Sequence, residues 1–282
     1  MQMPAEQTIL ITGCSTGIGR ATAERLTAAG HRVYATARNP GSVADLEAKG
    51  CRTIALDVTD EASMEAAVAR IDEEAGGVDS LVNNAGYSQS GAIETLAMEA
   101  LRRQFETNVF GLVRMTQLVL PGMRAKGYGR VVNLSSMGAN FTFPGGGAYH
   151  ATKYAIEAIS DALRFEVRGF GIDVIVVEPG IILTGFGEHA RPGAAGDGPY
   201  AEFDAAVSTA YVETYEKGLL RRLGGPPETV AKRIAKAITA TRPRARYTVT
   251  ASAKALIAQK AVLPDAGWDA VMRTTFPQPG PD

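Results

Sequence analysis

The sequence has few of the residues that build disulfide scaffolds and metal centres. Only two cysteines, Cys14 and Cys51, and three histidines occur among 282 residues. The cysteines stand far apart and match no metal-ligand spacing, which disfavours both a disulfide framework and a zinc site. We therefore expect no metal, and we expect structural roles for His150 and His189 rather than metal binding or base chemistry.

Strong charge and long apolar runs are also lacking. The formal net charge is -1, which argues against nucleic acid and anionic membranes as partners. The longest apolar stretch, residues 174–183, is interrupted by Glu178, Pro179 and Gly180 and is too short to cross a bilayer. Residues 1–7 carry neither the basic nor the apolar part of an export signal, so a soluble cytoplasmic protein is expected.

What the sequence does contain is short β-branched runs that alternate with stretches of helical spacing. This order is typical of βαβ units, and apolar strands without polar alternation indicate burial on both faces. We predict an α/β fold: one domain over residues 1–282, with a doubly wound, mostly parallel Rossmann-type sheet between two helical layers. The predicted strands are residues 8–12, 32–37, 53–57, 81–83, 130–134, 173–177 and 246–249, and the predicted helices are residues 17–29, 61–74, 101–123, 148–168, 228–241 and 252–262.

The composition changes after Thr184. Residues 185–198 are rich in Gly, Ala and Pro, and helical spacings with several aromatic residues follow them. We predict that residues 185–225 form a substrate-binding lid within the single domain. The Pro-rich residues 276–282 are predicted to be a flexible tail.

A glycine-rich turn stands between the first predicted strand and the first predicted helix. It reads Thr12-Gly13-Cys14-Ser15-Thr16-Gly17-Ile18-Gly19. Glycines let the backbone turn sharply and approach a pyrophosphate, and the helix N-terminus offers it free N–H groups. No Lys-Ser or Lys-Thr follows, which disfavours a P-loop, so we expect a dinucleotide site; a purely structural turn is the alternative. Cys14 lies near that N-terminus, where the pKa of a thiol can fall, but we favour a simple small-residue role for it over a reactive thiol.

The spacing Gly-x-x-x-Gly-x-Gly resembles the signature of the short-chain dehydrogenase/reductase family. Further motifs follow in that family's order: Asn83-Asn84-Ala85-Gly86, then Asn108, Ser136, Tyr149 and Lys153, then Pro179-Gly180 with Thr184. Ordered motifs over roughly two-thirds of the chain argue against coincidence. Apart from the catalytic set, the resemblance implies dinucleotide contacts for Gly13, Ser15, Thr16, Gly17, Ile18, Gly19, Asp57, Val58, Asn84, Ala85, Gly86, Pro179, Gly180, Ile182 and Thr184.

Tyr149 and Lys153 lie four residues apart on a predicted helix and therefore share one face. A free phenol has a pKa of about 10 and exchanges protons poorly near neutrality, but a nearby ammonium lowers that pKa. Taken alone, the pair favours a half-buried tyrosine beside a solvated lysine. Together with the other motifs it predicts a proton-transfer pair. By resemblance, both residues also contact the cofactor, and Lys153 bonds the nicotinamide ribose.

Ser136 follows the fifth predicted strand and stands thirteen residues before Tyr149. A hydroxyl at this place can donate to a substrate carbonyl oxygen and stabilise a developing alkoxide. Ser135 is the competing candidate. We choose Ser136 because the family's catalytic serine has the spacing that Ser136 has here, while a loop serine closing a strand is the structural alternative.

Asn108 lies inside the predicted helix 101–123. Asparagine is a poor helix former because its amide competes for backbone groups, so Asn108 indicates a held water or a local break in the helix. By resemblance, it joins a proton relay from Lys153 to solvent. A surface asparagine is the alternative, and the residue alone favours it.

The second predicted strand lacks the acidic residue that binds the ribose 2′-hydroxyl of NAD, because Ala37 takes that position. Arg38 follows and can bind a 2′-phosphate through two N–H groups, so we expect NADP(H), with NAD(H) as the alternative. Arg20 could assist or could be solvated. By resemblance, Asp57 contacts the adenine amino group beside the Val58 backbone; an acid at a helix N-terminus is the alternative.

The predicted activity is hydride transfer between a nicotinamide dinucleotide, NADPH by preference, and a ketone or secondary alcohol. The residues expected near the substrate are mostly apolar, which suggests a bulky apolar, steroid-like or other carbonyl compound. They are Tyr87, Met137, Phe141, Phe143 and the lid residue Phe186. The alternatives are an NAD-dependent alcohol dehydrogenase, a redox sensor without turnover, and an epimerase or dehydratase on the same scaffold. By resemblance, the helices at 101–123 and 148–168 form a subunit interface, so a homo-oligomer is expected.

Overall fold

The computed structural model of the chain describes residues 4–184, 198–216 and 221–280. Seven parallel strands form one sheet in the order β3-β2-β1-β4-β5-β6-β7. The strands are β1 (Thr8–Ile11), β2 (Arg32–Ala37), β3 (Arg52–Ala55), β4 (Ser80–Asn83), β5 (Gly129–Leu134), β6 (Ile172–Pro179) and β7 (Arg246–Val249). The strand order reverses between β1 and β4, and ligands bind at the carboxyl ends of strands beside such a reversal. The predicted doubly wound parallel sheet is confirmed.

Helices cover both faces of the sheet. They are α1 (Gly17–Ala28), α2 (Glu61–Ala75), α3 (Met98–Phe105), α4 (Gly111–Lys126), α5 (Gly147–Val167), α6 (Ala201–Glu216), α7 (Pro227–Thr239), α8 (Ala251–Val262) and α9 (Asp265–Arg273). A 3₁₀ helix, Pro40–Lys49, connects β2 to β3, and a π-helical segment, Glu106–Phe110, joins α3 to α4. No described helix is both long enough and apolar enough to span a membrane.

Two apolar cores lie on opposite faces of the sheet. Ile9 and Ile11 of β1 are fully buried and pack in one core with Leu26 of α1. Leu10, between them in the chain, is buried in the other core with Met115 of α4. Successive side chains of a strand point to opposite faces, so a strand between two helical layers must be apolar throughout. This explains the unbroken apolar strands of the sequence.

Several predicted boundaries differ from the structure. The helix predicted at 101–123 begins earlier, at Met98, and the π-helical segment interrupts it. The last helix, Asp265–Arg273, was not predicted. Phe276, placed by prediction in the flexible tail, is only 9% exposed and packs with Phe203, so this residue belongs to the folded domain.

The predicted lid lies only partly within the described residues. Its described portion contains α6, and Ala210 and Thr214 on that helix line the large cavity considered below. Phe186 and His189 lie outside the described residues, so their predicted roles stay predictions.

Candidate active site

The glycine turn after β1 is shaped by close backbone approaches. Gly13 has a φ of +72°, and a Cβ built on it would lie 2.9 Å from the Ala85 Cα. Gly17 has a φ of +60° and faces Thr184, while a Cβ on Gly19 would lie 2.3 Å from the Gly13 carbonyl oxygen. Left-handed φ values and contacts this short exclude a side chain at these positions. The backbone at the N-terminus of α1 is therefore bare and open to a ligand.

Two side chains hold this turn against the end of β4. The Thr12 Oγ1 accepts hydrogen bonds from the backbone N–H groups of Asn84 and Ala85, both at 3.0 Å. The Asn84 side-chain amide donates to the carbonyl oxygens of Thr12, at 2.9 Å, and Gly13, at 2.8 Å. Asn84 was predicted to contact the cofactor; in the structure its amide nitrogen supports the turn. Sequence reasoning gave Thr12 no role, although its place at the strand end is a signal for one.

A cavity of about 1110 Å³ runs along the carboxyl ends of the strands. It brings together every predicted catalytic and cofactor-contacting residue except Gly19 and Asn108, which lie behind its wall. The predicted residues that line it are Gly13, Ser15, Thr16, Gly17, Ile18, Arg38, Asp57, Val58, Asn84, Ala85, Gly86, Ser136, Tyr149, Lys153, Pro179, Gly180, Ile182 and Thr184. Residues far apart in sequence thus form one continuous site.

Tyr149 and Lys153 lie on the first turns of α5, on the same face of the helix. The Lys153 Nζ is 5.6 Å from the centre of the Tyr149 ring and donates a hydrogen bond to the Leu134 carbonyl oxygen at 2.8 Å. Lys153 is only 7% exposed, and this burial lowers its pKa to about 8, although the negative charge of Glu157 opposes the shift. The structure thus places the Lys153 ammonium beside the Tyr149 ring, as the predicted proton-transfer pair requires.

Ser136 follows β5 and faces the cavity. Its Oγ accepts a hydrogen bond from the Gly138 backbone N–H at 3.1 Å, so the hydroxyl hydrogen stays available for another acceptor. Ser135 is buried, and its Oγ is closed to solvent. This geometry favours Ser136 over Ser135 as the residue that touches a bound molecule.

Asn108 occupies the π-helical segment and is 1% exposed, so the surface alternative is wrong. Its amide nitrogen donates to the Tyr87 carbonyl oxygen at 3.0 Å and to the Thr152 Oγ1 at 3.1 Å, and its oxygen accepts from the Tyr87 N–H at 3.1 Å. The side chain thus joins α5 to the segment after β4. The break indicated by an asparagine within a helix is present as a π turn, a feature frequent at functional sites.

Arg38 and Arg20 differ in whether their positive charge faces the cavity. Arg38 is exposed and lines the cavity. Arg20 forms ion pairs with Asp45 and with Glu24, so its guanidinium is engaged away from a ligand. Asp57 also lines the cavity, and its Oδ1 accepts from the Thr59 backbone N–H at 2.9 Å, which matches the predicted alternative of an acid near a helix N-terminus.

Comparison with known proteins identifies the family of this chain. A sequence model described as short chain dehydrogenase matches residues 7–195. The chain belongs to the short-chain dehydrogenase/reductase family. The predicted resemblance is confirmed.

This short-chain dehydrogenase/reductase is similar to known proteins over different shares of its length. It is 42% identical over 183 residues to the 3-ketodihydrosphingosine reductase of Bacteroides thetaiotaomicron, covering 65% of this chain and 66% of that protein. It is 34% identical over 273 residues to the NADPH-dependent 3-dehydrocapnine reductase of Ornithobacterium rhinotracheale, covering 93% and 94%. A solved short-chain dehydrogenase from Streptomyces avermitilis is 36% identical, with a TM-score of 0.80 and coverage of 97% and 100%.

One wall of the cavity in this short-chain dehydrogenase is built by residues that the sequence analysis did not single out. The C-terminal wall of the cavity consists of Leu256, Val271, Met272, Thr275 and Phe276. These residues come from α8, α9 and the chain just after α9. The apolar spacing within residues 265–273 was a sequence signal for helix α9, but such spacing does not reveal the surface on which the helix packs.

The residues predicted to lie near the substrate divide between the cavity and the layer behind it. Tyr87, Met137 and Phe143 line the cavity. Phe141 does not line it; its ring packs 5.4 Å from that of Trp268 on α9, in a buried cluster that supports the wall.

The structure agrees with a small-residue role for Cys14 and contradicts the alternative of a lowered thiol pKa. Cys14 is completely buried, and this burial raises its pKa to about 12. Its Sγ lies 3.4 Å from the Ile11 carbonyl oxygen, on the side of the turn that faces the core. Desolvation of the thiolate outweighs the favourable helix N-terminus, so the thiol is an inert part of the packing.

Proposed function

We propose that this chain is an NADP(H)-dependent reductase of a bulky apolar ketone, with oxidation of the corresponding secondary alcohol as the reverse reaction. The observation that carries the proposal is the convergence of Ser136, Tyr149 and Lys153 on the cavity that also contains the glycine turn. A nicotinamide dinucleotide bound there supplies or accepts the hydride. The protein residues position the reactants and move the proton.

The residues present fit such a dinucleotide. Gly13 and Gly19 have no side chain, so the backbone at the start of α1 stays accessible to a phosphate. The first turn of α1 has no acidic residue that would repel the phosphate. The helix N-terminus favours an anion at this place. The exposed Arg38 supplies the charge that a 2′-phosphate needs, and the absence of a carboxylate at Ala37 supports the same preference.

Proton transfer falls to the phenol of Tyr149. In reduction, the Tyr149 hydroxyl donates its proton to the ketone oxygen while the C=O bond becomes a C–O bond. The Lys153 ammonium stabilises the phenolate that this step leaves. The Ser136 hydroxyl donates a hydrogen bond to the same substrate oxygen and stabilises its developing charge. We assign Asn108, whose side chain is fixed to Thr152, to a proton relay from Lys153 to solvent.

The chemistry of the C-terminal wall supports an apolar substrate. Its described residues carry no charged side chain. The charged residues that line the described cavity come from other elements and are Arg38, Asp57, Arg103, Glu106 and Lys153. Apolar side chains such as Met272 and Phe276 gain free energy when an apolar group displaces water from them. The two relatives named as reductases of 3-ketodihydrosphingosine and 3-dehydrocapnine support the reduction of a ketone.

Two further features belong to the proposal. Residues 185–225 act as a lid, since α6 already contributes Ala210 to the cavity. The chain forms a homo-oligomer through the helices predicted at 101–123 and 148–168, which overlap α4 and α5; Phe110, just before α4, is 55% exposed and Phe165 of α5 is 88% exposed. Large exposed apolar side chains of this kind mark interaction surfaces. Sedimentation of a single monomeric species at micromolar concentration would exclude the oligomer.

Titration with NADPH and NADH, followed by nicotinamide fluorescence, tests the cofactor part of the proposal. We expect tighter binding of NADPH. Equal affinity for NADH would overturn the preference and leave the catalytic assignment in place.

Methyl ketones of increasing alkyl length, added to the NADPH complex, test the substrate part. Since a buried methylene contributes about 0.8 kcal/mol, kcat/KM should rise about fourfold with each methylene until the wall is filled. Preference for small charged hydroxy acids would refute the apolar substrate. Cofactor binding without turnover of any ketone or alcohol would favour a redox sensor.

A further inference from the structure

We propose that His150 is a positioning residue that holds Ser136 in place through the backbone of Gly138 and acts as a neutral imidazole protonated at Nδ1. The inference rests on the proposed role of Ser136. His150 directly follows Tyr149 in α5 and is 3% exposed. Its ring also contacts Gly138, two residues after Ser136, but nothing in the family motif quoted above specifies it.

The hydrogen bonds of the imidazole determine its tautomer. The Nδ1 lies 2.6 Å from the Gly138 carbonyl oxygen, and a carbonyl can only accept, so Nδ1 carries the hydrogen. The Nε2 accepts a hydrogen bond from the Phe143 backbone N–H at 3.3 Å. One neutral ring thus satisfies a carbonyl and an N–H of the same segment, at positions five residues apart.

The two consecutive peptide units that meet at the Gly138 Cα connect this ring to Ser136. While the Gly138 carbonyl accepts from His150, the Gly138 N–H donates to the Ser136 Oγ at 3.1 Å. The serine Oγ uses one lone pair in this bond and keeps its hydrogen for an oxygen in the cavity. Loss of the His150 contact frees the backbone on both sides of the Gly138 Cα and, with it, the orientation of the Ser136 hydroxyl.

The packing around the ring shows that the position is built for an imidazole. A Cβ on Gly138 would lie 2.6 Å from the ring atoms Nδ1 and Cε1, and one on Gly146 would lie 2.7 Å from Cδ2. The Phe143 ring packs edge-on at 5.8 Å between ring centres, and the Tyr149 ring at 5.7 Å. Glycines on two sides leave room for the ring and for nothing larger.

The surroundings also keep the ring neutral. Residues 137–146, which pack on it, contain no charged side chain, and the titratable side chains nearest to it along α5 are Tyr149, Lys153 and Tyr154. Burial lowers the pKa of His150, although its bond to the Gly138 carbonyl opposes this. Protonation at Nε2 would set two donors against each other at the Phe143 N–H, so the neutral form is the one that fits.

Two substitutions separate the two ends of the imidazole. In His150→Asn, the amide nitrogen can take the place of Nδ1 and keep the bond to Gly138. In His150→Gln, the longer side chain can reach the Phe143 N–H but does not place a donor at the Nδ1 position. We expect His150→Asn to keep kcat within about threefold of the wild type, and His150→Gln to lower kcat about tenfold or more, with NADPH affinity unchanged in both.

The decisive comparison repeats His150→Gln in a Ser136→Ala background. If His150 acts through Ser136, the second substitution should cause almost no further loss of kcat, because interacting residues are not additive. Equal fractional losses of kcat in both backgrounds would overturn the proposal. So would His150→Asn and His150→Gln with the same kcat, since a merely structural role does not distinguish the two nitrogens.

One measurement does not depend on turnover. The imidazole ¹⁵N resonances of His150, assigned by comparison with His150→Asn, should report the Nδ1–H tautomer at neutral pH. The Nε2–H tautomer or an imidazolium would contradict the inference. If the wild type shows the expected tautomer but reduces no ketone, the proposed function fails and the described geometry of His150 stands.

Discussion

Lys153→Met should stabilise the protein while abolishing its turnover. Burial lowers the pKa of Lys153 from its ordinary value of 10.5 to about 8. At about 1.36 kcal/mol for each pH unit, this difference means that holding the charged ammonium in the fold costs about 3 kcal/mol below pH 8. Methionine has a similar length and no charge. It loses the bond to the Leu134 carbonyl, which is worth about 1 kcal/mol, so we expect a net gain of about 2 kcal/mol.

The pH dependence gives the same prediction a second readout. Between pH 8 and 10.5 the unfolded chain holds the Lys153 proton more tightly than the folded chain does. The free energy of unfolding of the wild type should therefore rise with pH across this window, by about 3 kcal/mol relative to Lys153→Met.

Urea denaturation followed by circular dichroism measures both effects. The matched control is Lys232→Met on α7, whose exposed side chain should change stability by less than about 0.5 kcal/mol. If Lys153→Met were less stable than the wild type at pH 7, and the two proteins had parallel pH profiles, the reasoning would be refuted.

Three further changes test other parts of the site. Arg38→Ala should weaken NADPH binding about tenfold to a hundredfold and leave NADH binding unchanged, measured by fluorescence titration; equal losses for both cofactors would contradict a 2′-phosphate contact. Gly19→Ala places a methyl group against the Gly13 carbonyl and should lower both the melting temperature and NADPH affinity. In the control, Gly122→Ala on α4, the added methyl group meets open space, and the substitution should add about 0.5–1 kcal/mol of stability. Normal NADPH affinity in Gly19→Ala would disprove the close approach of Gly19 to the Gly13 carbonyl. Met272→Ser should lower kcat/KM for long-tailed ketones about tenfold while sparing short ones, and uniform losses along the series would argue against an apolar wall.

The sequence predicted those parts of the molecule that depend on local pattern. The apolar strands, the glycine turn and the spacing of Tyr149 and Lys153 each follow from neighbouring residues, and all of them lie at the cavity or shape the sheet. The helix spacing of four residues sufficed to place Tyr149 and Lys153 on one face.

The parts that were missed depend on contacts between distant residues. Asn84 supports the turn through carbonyl groups about 70 residues away, and no local pattern distinguishes that role from contact with a ligand. The thiol of Cys14 faces the core, and only the packed structure reveals the desolvation that raises its pKa. The wall residues Val271 and Met272 have ordinary helical spacing, and their place at the cavity is set by the docking of α9 through Trp268.

Single-turnover oxidation of bound NADPH by an apolar ketone, compared between the wild type and Tyr149→Phe, tests the central claim most directly. Phenylalanine removes the proton donor and leaves the ring in place, and general acid catalysis contributes about 10²- to 10⁴-fold to a rate. The account predicts a loss of that size with NADPH affinity unchanged. A near-normal rate in Tyr149→Phe would contradict the assignment of Tyr149 as the proton donor.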